Sequence, residues 1–321
     1  WDGNLLKEIY VGTQGRPVQV VTDGLKELWD EFGDAISIRG VGTTGSGREL
    51  IGELVGADTV QDEITAHKTG STFISRRYFD ASVDTIFEIG GQDSKFIGLE
   101  NGVVTDFAMN DACAAGTGSF LEEQAERLGI RIKGEFAEMA LSSSAPVRMG
   151  ERCTVFMEQD LNNYLYRGAR KHDLVAGLAY SVVKNYLNRV VRGRKIGETI
   201  YFQGGTAYND AVAAAFSQVL GRKIIVPPHN GVIGAIGMAL LGAGGVLLST
   251  VDAGTEYSDI WWMIVIVGLG TGITFSAPSA AGLKALPAER AGEASGIINV
   301  IRYVSAALVI SLGTILFVEV G

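Results

Sequence analysis

The sequence predicts an α/β protein, and three stretches indicate this class. Two short apolar runs, Thr85–Ile89 and Thr199–Phe202, have the composition of buried strands, and each leads into a glycine pair, Gly90-Gly91 or Gly204-Gly205. The third stretch, which begins at Asp173, repeats apolar residues at helical spacing. With 321 residues, the chain is long enough for two or three domains.

Composition and charge exclude several classes of protein. A formal net charge of −9, without a basic aromatic patch, argues against nucleic-acid binding. Two cysteines are too few for a secreted disulfide scaffold, so a reducing cytoplasm is the expected compartment. The first residues, Trp1-Asp2-Gly3-Asn4, do not have the basic and apolar pattern of a signal peptide.

The first 60 residues predict two strands and two helices. Leu5–Val11 and Ala35–Ile38 are predicted strands, and Val18–Phe32 is a predicted helix. The glycine-rich run Gly40–Leu50 lacks the Gly-Lys-Ser/Thr ending of a P-loop, so we expect a turn that lines a cleft and leads into a helix at Glu49–Val55. The apolar face of the first helix carries Val21, Leu25, Leu28 and Trp29.

Glu63 and His67 lie four residues apart on a further predicted helix, which places them on one face. This spacing is compatible with a metal site or with structural hydrogen bonds. A structural role is favoured, because the sequence has no third ligand nearby.

The stretch Asp84–Phe120 contains the most specific pattern of the chain. A strand, the tight turn Gly90-Gly91-Gln92-Asp93-Ser94 and a returning strand at Lys95–Leu99 predict a hairpin. Adjacent glycines let backbone N–H groups approach a bound group closely, and a hydroxyl and carboxylates beside them suit a metal-bound polyphosphate. A hairpin without a ligand would have the same pattern.

Both cysteines are predicted to lie at helix starts. Cys113 lies in the small-residue run Asn110–Gly118, which leads into a predicted helix at Phe120–Leu128, and Cys153 precedes a second helical repeat. A helix N-terminus favours a thiolate or an anionic cluster. Burial as small apolar side chains is the alternative for both.

Between residues 131 and 241 the sequence predicts further helices and strands. Asp173 is the predicted N-cap of a long amphipathic helix. The strand that ends at Gly204-Gly205 before a helix is typical of the nucleotide edge of an open α/β sheet. Further elements are predicted in the polar connection Arg131–Ala145, which holds a short helix, at Asn209–Leu220 (helix), Ile224–Val226 (strand) and Gly231–Leu241 (closing helix).

The motifs EIGGQDSK at Glu88–Lys95 and NDACAAGTGSF at Asn110–Phe120 resemble those of the activators of 2-hydroxyacyl-CoA dehydratases and of the benzoyl-CoA reductase ATPase subunits. The resemblance implies a two-lobed, actin-like (ribonuclease H-like) ATPase fold, with a first lobe at residues 1–83 and a second at 84–243. The resemblance also leads us to expect a first lobe truncated at its N-terminus, because the usual first phosphate loop of the family is absent from the sequence. The expectation is therefore a fragment or an incomplete nucleotide site, with ATPase activity if that loop is supplied.

The resemblance also implies cofactors and the residues that hold them. ATP with Mg²⁺ would lie between the lobes, with phosphates held by Gly90, Gly91, Gln92 and Asp93, and with Glu88 orienting Mg²⁺ or water. Gly204 and Gly205 would contact the adenosine. Ser94, Gly116 and Gly118 complete the nucleotide-binding set.

Cys113 and Cys153 would bind a [4Fe–4S] cluster in the family that the motifs resemble. Such a cluster requires four thiolates, so two per chain imply a homodimer that shares one cluster. The implied function is ATP-dependent electron transfer from an upstream low-potential donor to a 2-hydroxyacyl-CoA dehydratase or acyl-CoA reductase component.

The tail at 244–321 differs in character. The runs Asn230–Val251 and Ile260–Leu283 contain no charged residue, and Ile297–Val318 contains only Arg302. Their length and apolarity predict transmembrane helices. The glycine and proline pattern after Trp261-Trp262 resembles the late helices of drug:proton antiporters of the major facilitator superfamily, so the tail is expected to be all-α and foreign to the ATPase part. A buried soluble hairpin is the alternative.

The sequence leaves three alternatives to the activator function open. A non-functional chimera of an activator fragment with a transporter fragment is one, and a remnant of a membrane transport protein is another. A kinase of the same fold would need a sugar pocket and a catalytic Asp, which the sequence does not reveal. The ATPase part is expected in the cytoplasm, with membrane association if the tail is native.

Overall fold

The computed structural model describes residues 4–110, 114–150 and 154–248, which all belong to one compact unit, Trp1–Gly270. The predicted lobe boundary between residues 83 and 84 stays a prediction. The helices are α1 (Pro17–Phe32), α2 (Arg48–Val55), α3 (Glu63–Tyr78), α4 (Gly118–Arg127), α5 (Glu135–Leu141), α6 (Thr154–Tyr166), α7 (Lys171–Tyr186), α8 (Asp210–Leu220) and α9 (Ile233–Leu248). The strands are β1 (Gly42–Thr43), β2 (Thr59–Val60), β3 (Thr85–Ile89), β4 (Ser94–Glu100), β5 (Val103–Asn110), β6 (Ile200–Gln203) and β7 (Ile224–Ile225).

A five-stranded mixed sheet in the order β5-β4-β3-β6-β7 forms the centre of the unit. β3, β4 and β5 form an antiparallel meander, and β6 and β7 add parallel to β3. The register pairs Glu88 with Lys95 on one side and with Gln203 on the other. Because side chains alternate between the faces of a strand, these three residues share one face of the sheet.

The opposite face carries the apolar core. Phe87, Phe96 and Phe202 lie there, completely buried against α7 and α8. The Phe87 ring packs 5.3 Å from both Tyr186 and Phe216 (centroid to centroid). The hydroxyl of Tyr186 donates a hydrogen bond to the backbone oxygen of Lys95 at 2.8 Å, so its polar tip is satisfied inside the core.

Helices α3 and α9 pack together through glycines. A Cβ added at Gly70 would collide with the carbonyl oxygen of Ile233, and a Cβ added at Gly237 would collide with that of Ala66. Only glycine permits this distance between the two helix backbones.

Several predicted elements are confirmed. The helices α1, α2, α3, α7, α8 and α9 and the hairpin β3–β4 form where the sequence pattern placed them. The strand β5, which the sequence analysis did not identify, extends the hairpin into a meander. Residues 4–13 and Ile36–Arg39 form no strand, so the predicted strands Leu5–Val11 and Ala35–Ile38 are wrong. A strand needs a neighbour for its backbone hydrogen bonds, and neither segment has one among the described residues.

Two further expectations need correction. The N-cap of α7 is Arg170, and Asp173 lies within the first turn, where it accepts hydrogen bonds from Ser143 Oγ (2.7 Å) and Arg170 Nε (3.1 Å). The charge-free run from Asn230 does not form a membrane span over its described part. It forms the 16-residue closing helix α9, packed on α3.

In the part of the chain that the structure covers, none of the helices combines the length and the apolar character needed to cross a membrane. The other two predicted spans, Ile260–Leu283 and Ile297–Val318, lie outside the described residues.

Candidate functional site

The hairpin β3–β4 is anchored at its turn to the start of α4. The N–H of Gly90 donates to the carbonyl of Asp93 at 3.0 Å and closes the turn. The N–H groups of Gly118 and Ser119 donate to the carbonyls of Gly90 (2.8 Å) and Gly91 (2.7 Å). The first turn of α4 therefore holds the glycine turn in place.

Glycines also allow the end of β6 to approach this turn. At Gly118, an added Cβ would lie 3.0 Å from both Gly90 O and Thr206 Oγ1. At Gly204, it would lie 2.6 Å from a carboxylate oxygen of Glu88, and the backbone there has a φ of +89°. Three segments that are distant in sequence meet at this point because glycines occupy the contacts.

A cavity of ≈ 410 Å³ opens where the three segments meet. This volume lies within the range of small-molecule and cofactor sites. Its lining consists of Tyr10, Gly90, Gly91, Gly118, Leu121, Glu122, Ile132, Lys133, Gly134, Gly205, Thr206, Tyr208 and Asn209.

A second cavity of ≈ 430 Å³ adjoins the first and shares Tyr10, Gly90 and Gly205 with it. Glu88 and Gly204 line this second cavity. The Tyr10 ring lies 5.4 Å from that of Tyr208, and an added Cβ on Gly205 would collide with the Tyr10 hydroxyl. Tyr10 therefore lies between the two cavities, directly over Gly205.

A buried lysine lies beneath the hairpin. The Lys95 ammonium is 2.5 Å from Glu63, 2.8 Å from Asp93 and 3.0 Å from Glu88, and its side chain is 3% exposed. Glu63 belongs to α3, whereas the two other carboxylates belong to the hairpin. One positive charge faces three carboxylates, so the cluster has an excess of negative charge when all of them are ionised.

The electrostatics of this cluster follow from burial and from the charge excess. Burial raises the pKa of Glu88 to about 7, with Lys95 opposing the rise and Asp93 and Glu63 adding to it. For Lys95, burial disfavours the ammonium, but Glu88 and Asp93 outweigh burial and raise its pKa. The ammonium is therefore held charged, and Glu88 is the carboxylate that a further cation would help to ionise.

His67 lies one turn after Glu63 on α3 and makes a structural hydrogen bond, as the sequence analysis favoured. Its Nδ1 is 2.9 Å from Gln203 Nε2, and Gln203 Oε1 accepts a hydrogen bond from Ser71 Oγ at 2.7 Å. Burial lowers the pKa of His67 to about 3, and the charge of Lys95 adds to this effect. His67 is therefore neutral at pH 7.

The structure brings together most of the predicted nucleotide-binding residues. Gly90, Gly91, Gly118 and Gly205 line the first cavity, and Glu88 and Gly204 line the second. Asp93 and Gln92 lie in the turn, where Gln92 is exposed and Asp93 is bound to Lys95. Ser94 is fully buried, and its Oγ has no protein partner.

One predicted nucleotide-binding residue lies away from both cavities. Gly116 packs against the backbone of Tyr186 on α7, where a Cβ added to Gly116 would lie 3.4 Å from the Tyr186 Cα. Gly116 lines neither cavity. Cys113 and Cys153 lie outside the described residues. The glycine-rich run Gly40–Leu50, expected to line a cleft, contributes to neither cavity.

Sequence reasoning missed several residues of the site. Lys95 could have been found, because a hairpin with this turn places it directly across from Glu88. Tyr10, Glu122 and Lys133 carry no local signal, since each reaches the cavity from a different part of the chain.

The sequence profile of the BadF/BadG/BcrA/BcrD ATPase family matches residues 6–242. An uncharacterized protein of Methanocaldococcus jannaschii is 34% identical over 227 residues, which are 70% of this chain and 53% of that protein. The chain thus spans about half the length of this relative. The (R)-2-hydroxyglutaryl-CoA dehydratase activating ATPase of Acidaminococcus fermentans is 37% identical over 200 residues, which are 61% of this chain and 72% of that protein.

A solved structure shows the same fold. The activator of the 2-hydroxyisocaproyl-CoA dehydratase from Clostridium difficile, with bound ADPNP, superposes with a TM-score of 0.66 at 30% identity. The superposition covers 78% of this chain and 90% of that one. The family match ends before residue 243, and these relatives give no support to the expected antiporter resemblance of the tail. On the profile match over most of its length, the chain belongs to the BadF/BadG/BcrA/BcrD ATPase family.

Proposed function

We propose that the chain is an ATP-dependent activator that transfers an electron to a 2-hydroxyacyl-CoA dehydratase or a benzoyl-CoA reductase type enzyme. The observation that carries this proposal is the meeting of Gly90-Gly91, Gly118 and Gly205 at one cavity. A relative with this fold is an activator that binds ADPNP, and another is an activating ATPase.

ATP fits the first cavity by chemistry as well as by volume. Backbone at Gly90, Gly91, Gln92 and Asp93 would hold the phosphates, and Gly204 and Gly205 would lie at the adenosine. Thr206 lines the first cavity, and its buried hydroxyl has no protein partner, so a polar group of the site is left for a ligand to satisfy.

Mg²⁺ fits beside this cavity, because Glu88 lines the adjoining second cavity and the three carboxylates around Lys95 exceed the single charge of the lysine. Among residues 4–110, 114–150 and 154–248, no group of His, Cys, Asp and Glu forms a complete metal site. Mg²⁺ is usually held by one or two carboxylates together with substrate phosphates and water, so a partial set is what it requires. When bound, the ion would neutralise phosphate charge, and Glu88 would orient it or a water molecule.

Nucleotide binding can be tested with Mg²⁺ and ADPNP by isothermal titration calorimetry. We expect saturable binding at one site per chain. In Gly205→Ala, the added Cβ competes with Tyr10 for space beside the cavity, so affinity should fall about tenfold or more. Gly12→Ala is the matched control, because an added Cβ there meets no atom within 4 Å. Absence of binding by the unaltered chain would contradict the proposal.

The electron carrier in this proposal is a [4Fe–4S] cluster held by Cys113 and Cys153. Each cysteine directly precedes helical structure: Cys153 comes before α6, and Cys113 comes before the short 3₁₀ turn Ala114–Gly116, which leads to α4. Helix N-termini favour thiolates. Two cysteines per chain supply half of the four that the cluster needs, so a homodimer would hold one cluster between its subunits.

Anaerobic purification with iron and sulfide analysis, electron paramagnetic resonance of the reduced protein and size determination test the cluster. We expect about four irons per dimer. Cys113→Ala and Cys153→Ala should each lose the iron and still bind Mg·ADPNP. An iron-free dimer after reconstitution, or iron retained in both variants, would contradict this part of the proposal.

The alternative of a chimera with a transporter fragment rests on the apolar runs of the tail at 244–321. It predicts that the intact chain partitions into phospholipid vesicles. Recovery of the chain in the aqueous fraction, with nucleotide binding retained, would argue against it.

A further inference from the structure

We propose that an acidic electron-transfer protein, the upstream donor of the proposed function, docks on a strip of basic side chains next to the segments that flank Cys113. The inference rests on that function and adds the surface through which the electron arrives. This basic strip consists of Arg189, Arg192, Arg194, Lys195, Arg222 and Lys223.

Two segments that are distant in sequence form the basic strip. Residues 184–195 contain five lysines and arginines and no carboxylate, although the whole chain has a formal net charge of −9. The second segment, Arg222-Lys223, lies between α8 and β7. The Arg222 guanidinium donates hydrogen bonds to the carbonyls of Ile196 (3.0 Å) and Gly197 (3.1 Å). The fold therefore joins the two segments into one basic surface.

The positive charge of the strip is only partly neutralised. Arg194 and Lys195 pair with carboxylates at 3.5 Å and 3.0 Å. Arg192 and Lys223 are exposed and form no ion pair among the described residues, and Arg192 Nε donates to the Arg189 carbonyl at 2.6 Å. The six cations of the strip outnumber the four carboxylates beside it, which are Asp84, Glu100, Asp106 and Glu198.

The strip contacts the strand that precedes Cys113. That strand, β5, ends at Asn110, three residues before the cysteine. Asp106 of β5 is the carboxylate that pairs with Arg194. The basic segment is therefore attached to β5 one residue beyond the middle of its last turn of pairing, close to where the strand leads to the cysteine.

The strip also reaches the segment that follows Cys113. Gly116 packs on the end of α7, where a Cβ added to Gly116 would lie 3.7 Å from the carbonyl carbon of Asn185. The side-chain oxygen of Asn185 accepts a hydrogen bond from Arg189 Nε at 3.2 Å. A protein docked on the strip would therefore lie near the part of the chain that is proposed to hold the cluster.

The character of the surface indicates the kind of partner. Electron-transfer complexes have small interfaces, and complementary charge speeds and orients their encounter. Within residues 184–197 and 221–225, the structure exposes no large apolar side chain, so the surface is suited to such an encounter rather than to a permanent interface. Because the chain as a whole is negative, an acidic protein is repelled by it in general and attracted at the strip.

The first test measures binding of a bacterial ferredoxin with two [4Fe–4S] clusters, used as an acidic, low-potential probe, to the full chain purified anaerobically. Microscale thermophoresis at about 25 mM and about 300 mM salt should show binding that weakens about tenfold or more at the higher salt, because surface charges are then screened. In the double variant Arg192→Glu, Lys223→Glu, affinity at low salt should fall about tenfold or more.

The matched control is the double variant Lys26→Glu, Arg39→Glu. It makes the same change in net charge at exposed positions outside the strip, so its affinity should stay within about twofold of that of the unaltered chain. The milder double variant Arg192→Gln, Lys223→Gln should lose part of the affinity. Far-UV circular dichroism would verify that all three variants are folded.

Electron delivery gives a second readout. In each productive encounter the reduced ferredoxin is oxidised by one electron and the chain is reduced by one electron. Stopped-flow absorption should show that ferredoxin reduces Arg192→Glu, Lys223→Glu about tenfold more slowly than the unaltered chain. Dithionite is a small reductant that needs no docking surface, so it should reduce both at rates within about twofold of each other.

Equal ferredoxin affinity in the strip variant and in the control variant would overturn the inference and leave the proposed function intact. Tighter binding of a double-stranded oligonucleotide than of ferredoxin by the unaltered chain would also overturn it, because the strip would then attract polyanions in general. A chain that dithionite cannot reduce after reconstitution would overturn the cluster part of the proposed function, whereas the binding comparison would still decide the docking surface.

Discussion

Lys95 is the residue on which the buried polar cluster depends. Its ammonium contacts one carboxylate from α3 and two from the hairpin, and all four side chains except that of Asp93 are less than 10% exposed. A buried charge left without its partner costs far more than an exposed one. The cluster therefore joins the hairpin β3–β4 to α3 only while the lysine is present.

We predict that Lys95→Met destabilises the protein by about 3–5 kcal/mol, because it leaves buried carboxylates unpaired. Lys195→Met is the matched control. Lys195 pairs with Glu100 at the surface, where an ion pair contributes at most about 1 kcal/mol. Urea denaturation followed by circular dichroism measures both. Equal effects of the two substitutions would show that the Lys95 cluster makes no special contribution to stability.

We predict that the buried His67 makes the free energy of unfolding depend on pH. Its pKa is lowered to about 3 in the folded protein by burial, whereas an unfolded histidine titrates near 6.5. Between these two pKa values the unfolded state binds a proton that the folded state does not bind. The contribution of the neutral, buried His67 to stability is therefore fully present above pH 6.5 and is lost as the pH falls. At pH 5 the expected loss is about 1–2 kcal/mol relative to pH 7.

Urea denaturation at pH 7 and pH 5 tests this prediction. His67→Gln should be less stable at pH 7 but should show a smaller difference between the two pH values. His172→Gln, a substitution of an exposed histidine, should keep the difference of the unaltered protein. An unchanged pH difference in His67→Gln would assign the effect to other groups.

At the scale of elements, the close approach of helices α3 and α9 depends on glycines. Gly70 and Gly237 each face a carbonyl of the opposite helix, so the contact is between backbones. α3 also carries Glu63 and His67, which reach the hairpin and β6. The packing of α9 on α3 therefore helps to hold the side chains that meet beneath the glycine turn.

We predict that Gly237→Ala lowers stability by about 1–3 kcal/mol or more, because the new Cβ would collide with Ala66 O. Gly24→Ala on α1 should have the opposite sign. An added Cβ there meets only Ile9 Cδ1, at 3.8 Å, and alanine is favoured over glycine in a helix by about 0.5–1 kcal/mol. Thermal denaturation would measure both, and a neutral Gly237→Ala would mean that α9 can shift without cost.

At the scale of the whole molecule, the proposed nucleotide site connects segments from across the chain. Tyr10, the hairpin, α4, the loop at 132–134 and the end of β6 all line one cavity. A ligand bound there would contact only the folded arrangement, because unfolding separates these segments. Binding should therefore stabilise the whole unit rather than one element.

We predict that Mg·ADPNP raises the thermal midpoint in a saturable way. At a ligand concentration of about 100 times Kd, the expected gain is about 2.7 kcal/mol. Lys195→Met should show the same gain, and Gly205→Ala a smaller one. Differential scanning calorimetry with increasing ligand tests this, and a midpoint that does not depend on ligand would contradict the proposed site.

The amino-acid sequence by itself determined the α/β class, the hairpin β3–β4, most of the helices and the glycine turns of the site. These features depend on local signals: apolar periodicity, and glycine where the backbone must turn or approach another segment. The family motifs at Glu88–Lys95 and Asn110–Phe120 are local in the same sense, so they could be recognised without a structure.

Only the tertiary structure decided which predicted strands exist and which side chains meet. Leu5–Val11 and Ala35–Ile38 have the composition of strands but lack a neighbour in the described part of the chain. The contacts of Lys95 with Glu63, and of His67 with Gln203, join residues 32 and 136 positions apart. Local patterns do not encode such pairs, because strand pairing and helix packing set them only when distant segments are brought together.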